Sequence, residues 1–243
     1  MPMASPHSTR LGNVVIHHAR AVRPLDFPSS EPESERLGET KRHLELRTFV
    51  YQLLKSAFAP EHTIGSDQFV YWNGRDPQRK CAPDAFVKIG VPDREFDVWK
   101  TWLCGAPELV VEILSRHDRE PFTWAEKMKR FAELGAMEVV RFDVDARPGK
   151  RLSAWDRVED DLVRRSVSHD ATPCRTLGLH WVIASAPELS SALRLARDAA
   201  GRDLLLHPIE AAESARRSAE AAQRSAEARV AELEAELRKR GGA

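Results

Sequence analysis

A mixed α/β or α+β domain is the fold this 243-residue sequence predicts, and three observations predict it. Apolar residues recur at helical spacing in two separate stretches, short β-favouring runs lie between and after them, and the sequence closes on a long Ala/Glu/Arg segment. Helix, several strands, helix and more strands pack as a mixed sheet flanked by helices. The length suits one core with appendages rather than two ordinary domains. Lys plus Arg number 37 against 37 Asp plus Glu, which excludes a blanket attraction to nucleic acid or to an anionic membrane and leaves any such binding to local patches.

Taken in order, residues 1–35 are rich in Pro, Ser, Glu and Arg and predict a disordered N-terminal arm. From Glu35 to Phe58, the residues Leu46, Phe49, Val50, Leu53, Leu54 and Ala57 predict an amphipathic helix that ends before Pro60. Strands are expected over 68–72, 82–89 and 109–114, then a helix over 122–134 that Gly135 stops. Three more strands follow over 138–144, 152–158 and 162–167, the last two forming a hairpin across Glu159-Asp160-Asp161. A strand over 177–183 and a helix over 187–199 complete a domain spanning 36–200.

Beyond Pro208 the Ala, Glu, Arg and Ser composition predicts a long helix over 208–240. Val230 and Leu237 fall in one heptad position and Ala212, Ala219, Ala226 and Leu233 in another, with Arg216 and Gln223 interrupting the seam. A weak coiled coil that joins copies into a homo-oligomer and a solvated single helix both stay open. No run approaches the roughly 18 apolar residues that span a bilayer, and the first residues lack the apolar core of a secretion signal, so a soluble, cytoplasmic protein with no membrane partner is expected. Cys81, Cys104 and Cys174 lack paired spacing and read as reduced, ordinary thiols.

The residue with most to explain is Glu112, inside the aliphatic run Leu109-Val110-Val111-Glu112-Ile113-Leu114. Moving an unpaired carboxylate out of water costs on the order of several kcal/mol, so it needs a cation, a metal or a proton. Asp84 opens another strand-like run just after Pro83. If the two strands are neighbours, about 4.8 Å apart, their carboxylates can share one ion. Mg²⁺ suits such a site, being held by one or two carboxylates together with substrate phosphate oxygens. On the following helix Trp124, Met128 and Phe131 form one stripe, and Lys127 falls within it while Lys129, Arg130 and Glu133 point away. An inward lysine could neutralise Glu112, activate a water or meet developing phosphorane charge.

Pro83-Asp84 with Val87, then Glu108-Leu109-Val110-Val111-Glu112-Ile113-Leu114-Ser115, then Lys127 with Phe131, Gly135, Glu138 and Asp143 resemble the Uma2 family, also called DUF820, of the PD-(D/E)XK nuclease superfamily. The likeness runs from Glu35 to Ile183 and includes Leu177-Gly178-Leu179. It implies a restriction-endonuclease-like sheet flanked by helices and a Mg²⁺-dependent DNA endonuclease, with Mn²⁺ a possible substitute. It also implies that Asp84, Glu112 and the backbone carbonyl of Ile113 bind the metal and that Lys127, with both acids, is catalytic. The chain departs from the pattern at Leu114, where Glu-x-Lys would put the lysine, at Thr123 in place of an acid, and at Val139 and Val140 in place of an aromatic pair.

The superfamily also tends to place a helical acid near the metal. Here the first helix offers Glu39 on the apolar face, His43 at its border and Glu45 outside it, and none is singled out. The ordinary reading of His43 is a partly buried ring bonded to backbone. The charged, Trp-containing run 93–102 could stack on bases at a cleft rim, but pinning a long loop is the preferred reading. Arg147, Lys150 and Arg151 read as a solvated turn. The rival to an enzyme is a catalytically inactive nuclease-fold module that binds nucleic acid or protein and self-associates through its C-terminal helix.

Overall fold

The computed structural model describes residues 8–11, 14–17, 25–28, 39–115 and 122–241. Its elements are β1 (Ser8–Leu11), β2 (Val14–His17), α1 (Lys41–Phe58), β3 (Thr63–Gly65), β4 (Phe69–Tyr71), β5 (Lys80–Cys81), β6 (Ala85–Lys88), β7 (Val98–Lys100) and α2 (Thr101–Cys104). They continue with β8 (Leu109–Leu114), α3 (Trp124–Leu134), β9 (Glu138–Asp143), β10 (Leu152–Val158), β11 (Asp161–Arg165), β12 (Ala171–Cys174), β13 (Leu179–Ala186), β14 (Leu189–Ala196) and α4 (Pro208–Gly241).

The central sheet has six strands in the order β11-β10-β9-β8-β6-β3. Of the pairs in this sheet β8 and β9 alone are parallel, and α3 makes the crossover between them. β8 carries a near-continuous aliphatic run because both faces of this sheet are covered. On one face Val111, Ile113, Val140 and Phe142 pack against Leu46, Phe49, Val50, Leu53 and Leu54 of α1 and against Trp181, Leu193 and Leu195 of the β12-β13-β14 sheet. On the other face Val110, Val139 and Trp155 meet Phe131 and Leu134 of α3 together with Val70 and Trp99 of the small β5-β4-β7 sheet.

The mixed α and β class and the long C-terminal helix agree with the sequence expectation; several elements do not. The expected helix over 187–199 is strand β14, paired along most of its length with β13. Leu193, Leu195, Ala192 and Ala196 are all buried, so sheet pairing and burial override a composition of Leu, Ala and Ser that suits a helix. The first helix starts at Lys41, with the Thr40 side chain accepting from the His43 N–H as N-cap, so Glu39 lies outside it rather than on its apolar face. Within the arm expected to be disordered, β1 and β2 form an antiparallel hairpin. Farther along it, Pro28 accepts a hydrogen bond from the Tyr71 hydroxyl and Phe27 packs edge-on against that ring at 5.1 Å. The remainder of residues 1–35 lies outside the described residues.

The helix α3 forms as its sequence predicts. Thr123 and Glu126 close a capping box, and Gly135, at φ 93°, ends the helix in the left-handed conformation. No helix among the described residues is long and apolar enough to cross a membrane.

Candidate functional site

The acids singled out in the sequence stand on neighbouring segments, Glu112 within β8 and Asp84 one residue ahead of β6. β6 and β8 run antiparallel with Ala85 opposite Val111, so continuing the register by one residue sets Asp84 opposite Glu112. Asp84 itself has left the ladder. Its Oδ2 accepts the Ile113 backbone N–H at 2.6 Å, capping β8 where β6 has ended. Because the N–H and C=O of one strand residue face the same neighbour, the Ile113 carbonyl is directed to the side on which Asp84 sits. The turn carrying Asp84 is fixed in two ways: Ser66 Oγ donates to the Asp84 carbonyl at 2.8 Å, and the Asp67 N–H donates to the Pro83 carbonyl at 2.8 Å.

Glu112 alternates with Val110 onto the α3 face and is only 2% exposed. Its Oε2 accepts from Lys127 Nζ at 2.6 Å. The cation that the buried carboxylate requires is therefore supplied from one turn inside α3, on the stripe that carries Trp124, Met128 and Phe131. Lys127 is 17% exposed at its side chain, so the pair opens toward solvent through the lysine.

The first helix contributes a residue that the sequence left undecided. His43 is buried, and its Nε2 lies 2.8 Å from Asp84 Oδ1, a carboxylate partner where a backbone partner was the ordinary expectation. Periodicity fixes the direction of a side chain but not what it meets. Glu39 instead grips Arg47, its two oxygens accepting from Nε and Nη2 at 2.9 Å each. This bidentate pair is the main reason the guanidinium holds its proton more firmly than usual. Glu45 is exposed and pairs with Lys41 at 3.4 Å. Asp67 adds a further acid on this side, in left-handed backbone at φ 70°. Its side chain is exposed, yet the protein around it displaces enough water to raise its carboxyl above the ordinary range, and repulsion from Asp84 and Glu39 adds to that while Arg47 and His43 oppose it. Negative charge is thus crowded around Asp84.

Cys81 stands near the same place and can be set aside as a nucleophile. Burial and the charge of Glu112 hold its thiol well above the usual range, outweighing Arg130 and Lys127, so it stays protonated. In the 93–102 run Trp99 is buried and donates from Nε1 to the Gly105 carbonyl, while Trp102 packs against Phe27 at 5.3 Å. Both tryptophans fasten the loop, as preferred from sequence.

The donor chemistry fits a small hard cation. Asp84, Glu112 and the Ile113 carbonyl supply oxygen only, with His43 and Lys127 one contact behind them. Among the described residues no group of three or more His, Cys, Asp and Glu side chains gathers as a metal cluster. Mg²⁺ takes one or two carboxylates and fills the rest of its shell with water and phosphate oxygens.

A family model described as "Uma2: Putative restriction endonuclease" matches residues 35–184, more than half of the 243-residue chain. The chain belongs to the Uma2 family. No curated protein matches it. Among solved structures it is similar to a putative nuclease belonging to DUF820 from Anabaena variabilis ATCC 29413, at 14% identity over 65% of this chain and 80% of that one, with a TM-score of 0.35. The Uma2 match begins ahead of α1 and ends in β13, so α4 stands outside it.

Proposed function

We infer that this Uma2 protein is a metal-dependent endonuclease that hydrolyses phosphodiester bonds of DNA. The observation that supports the reading is that the β6–β8 register sets Asp84 opposite Glu112, with Lys127 bonded to Glu112 and Asp84 bonded to Ile113. In this reading Asp84, Glu112 and the Ile113 carbonyl hold Mg²⁺ or Mn²⁺. Bound there, the ion would supply Lewis-acid polarisation of a phosphoryl oxygen and a water of lowered pKa. Lys127 gives Glu112 a counter-charge inside an apolar strand, and its ammonium, the more exposed partner, orients the attacking water and meets charge as it builds on the phosphorane. His43 acts as a positioning residue: its bond to Oδ1, together with that of the Ile113 N–H to Oδ2, fixes the plane of the Asp84 carboxylate.

Incubation of supercoiled plasmid with the protein and Mg²⁺ or Mn²⁺ tests this directly. Nicking by the wild-type chain is expected, with a loss on the order of a hundredfold or more in Asp84→Ala and Lys127→Ala. Equal nicking by wild type and both variants would overturn the reading.

One observation favours the rival, a catalytically inactive nuclease-fold module that self-associates through its last helix. α4 runs for 34 residues and leaves Val230, Leu233 and Leu237 exposed, spaced as one seam of a coiled coil. Absence of divalent-ion binding in calorimetry, with loss of self-association on truncation after Pro208, is the outcome that reading expects.

A further inference from the structure

Resting on the nuclease reading, we propose that Arg141 and Arg164 form a cationic row, aligned with the acidic pair across the sheet, that binds backbone phosphates flanking the scissile bond. The register sets this row. Glu112 is opposite Arg141 in the parallel β8–β9 ladder, Arg141 is opposite Ser153 in β9–β10, and Trp155, two residues beyond Ser153, is opposite Arg164 in β10–β11. Val110, Val139 and Trp155 mark the α3 face, so the two-residue alternation puts Glu112, Arg141, Ser153 and Arg164 all on that face. With strands about 4.8 Å apart, the β9, β10 and β11 positions lie about 5, 10 and 14 Å from the strand of Glu112.

Both guanidinium groups are braced by aromatic rings. Arg141 sits 4.8 Å from the Trp124 ring and 5.5 Å from that of Trp155, and Trp124 precedes Lys127 by one turn of α3. Arg164 lies 5.8 Å from the Trp155 ring and donates from Nη2 to Ser153 Oγ at 3.2 Å. A guanidinium stacked on an indole keeps its N–H groups in its own plane, directed past the ring edge, which suits bidentate capture of a phosphate. Beside Arg164 an open cavity of about 360 Å³ is lined by Gly149, Lys150, Arg164, Arg165 and Ser166. Arg165 is committed to Glu138 and Asp156, which leaves Lys150 and Arg164 to give the cavity its positive character. The row thus runs from the hydrolytic centre to the β11 edge, with the sign of charge changing from negative at Asp84 and Glu112 to positive beyond them. Neutral net charge is no obstacle to nucleic-acid binding when the cations are sorted to one side of the site.

Binding without catalysis isolates this row from the metal chemistry. Fluorescence anisotropy of a labelled short DNA duplex in EDTA compares wild type, Arg164→Ala, Arg141→Gln and Asp84→Asn. Arg164→Ala is expected to weaken binding on the order of tenfold and to make the dependence of log K on log salt shallower by about 1, with the same loss on unrelated duplex sequences. Arg141→Gln is expected to act likewise. Asp84→Asn, which removes negative charge, is expected to bind at least as tightly as wild type. Arg164 is exposed, so its variant reports even if Arg141→Gln fails to fold. Wild-type affinity and salt slope in Arg164→Ala, or no duplex binding by wild type, overturns the row. Plasmid nicking that survives in an Arg164→Ala protein of unchanged affinity would remove the row and leave the nuclease reading standing. Row-dependent binding without any nicking would do the reverse.

Discussion

Glu112 owes its place to Lys127. A carboxylate that is 2% exposed, set among Val110, Val111 and Ile113, is tolerated because an ammonium reaches it at 2.6 Å. Removing one partner of such a pair leaves an uncompensated buried charge, which typically costs about 3–5 kcal/mol, whereas replacing both can be neutral. Lys127 retains some exposure, so the lower end applies. Lys127→Met is therefore expected to lose about 3 kcal/mol in urea denaturation, and the double variant Lys127→Met/Glu112→Gln to recover most of it. No recovery would mean that the lysine stabilises α3 by packing rather than by charge. This pair was legible in the sequence because two independent patterns, a charge within an aliphatic strand and a lysine within an apolar helical stripe, pointed at each other. The His43–Asp84 bond was not. It joins residues 41 positions apart, and neither residue stands in surroundings apolar enough to announce a need for the other.

Among the elements, those with local punctuation were readable and those made by distant pairing were not. Gly135 ends α3 as its sequence announced, and Glu159, at φ 55°, turns the β10–β11 hairpin. β14 was misread because its stability comes from β13 alongside it and from α1 and α4 rather than from its own residue preferences. Its Arg194 is buried and held by Glu210 from the first turn of α4, with His207 stacked on Phe49 of α1 at 4.5 Å. This junction gives the fold an acid sensitivity whose sign is fixed. Burial, aided by Arg194, lowers the His207 pKa below its ordinary 6.5, so below pH 6.5 the unfolded chain takes up a proton that the folded chain refuses. For Glu210, burial raises the pKa, but the bonds from Arg194 and from the His207 N–H outweigh it and leave the carboxyl below its ordinary 4.5. Both contributions are present above these ordinary values and fade as pH falls through the folded ones. The thermal unfolding midpoint is expected to fall from pH 6.5 downward, with a flatter profile in His207→Gln between pH 6.5 and 4.5. An unchanged profile in that variant would contradict the junction's role.

For the whole molecule, a two-faced sheet sets Asp84 opposite Glu112 across β6 and β8, and one face carries Glu112 and Lys127 together with the proposed phosphate contacts. The composition change at Pro208 announced α4, since a 34-residue segment rich in Ala, Glu, Arg and Ser needs no tertiary partner to favour a helix. The layering was not legible, because the order β11-β10-β9-β8-β6-β3 depends on which runs pair, and short apolar runs do not encode their neighbours. What the account depends on is that Asp84 and Glu112 share one divalent ion. Electron paramagnetic resonance of Mn²⁺ titrated into the protein with a short DNA duplex tests it most directly. One bound Mn²⁺ per chain is expected, lost in both Asp84→Asn and Glu112→Gln. Retention of that ion at wild-type affinity in the two variants, or no bound ion in the wild-type protein, would contradict it.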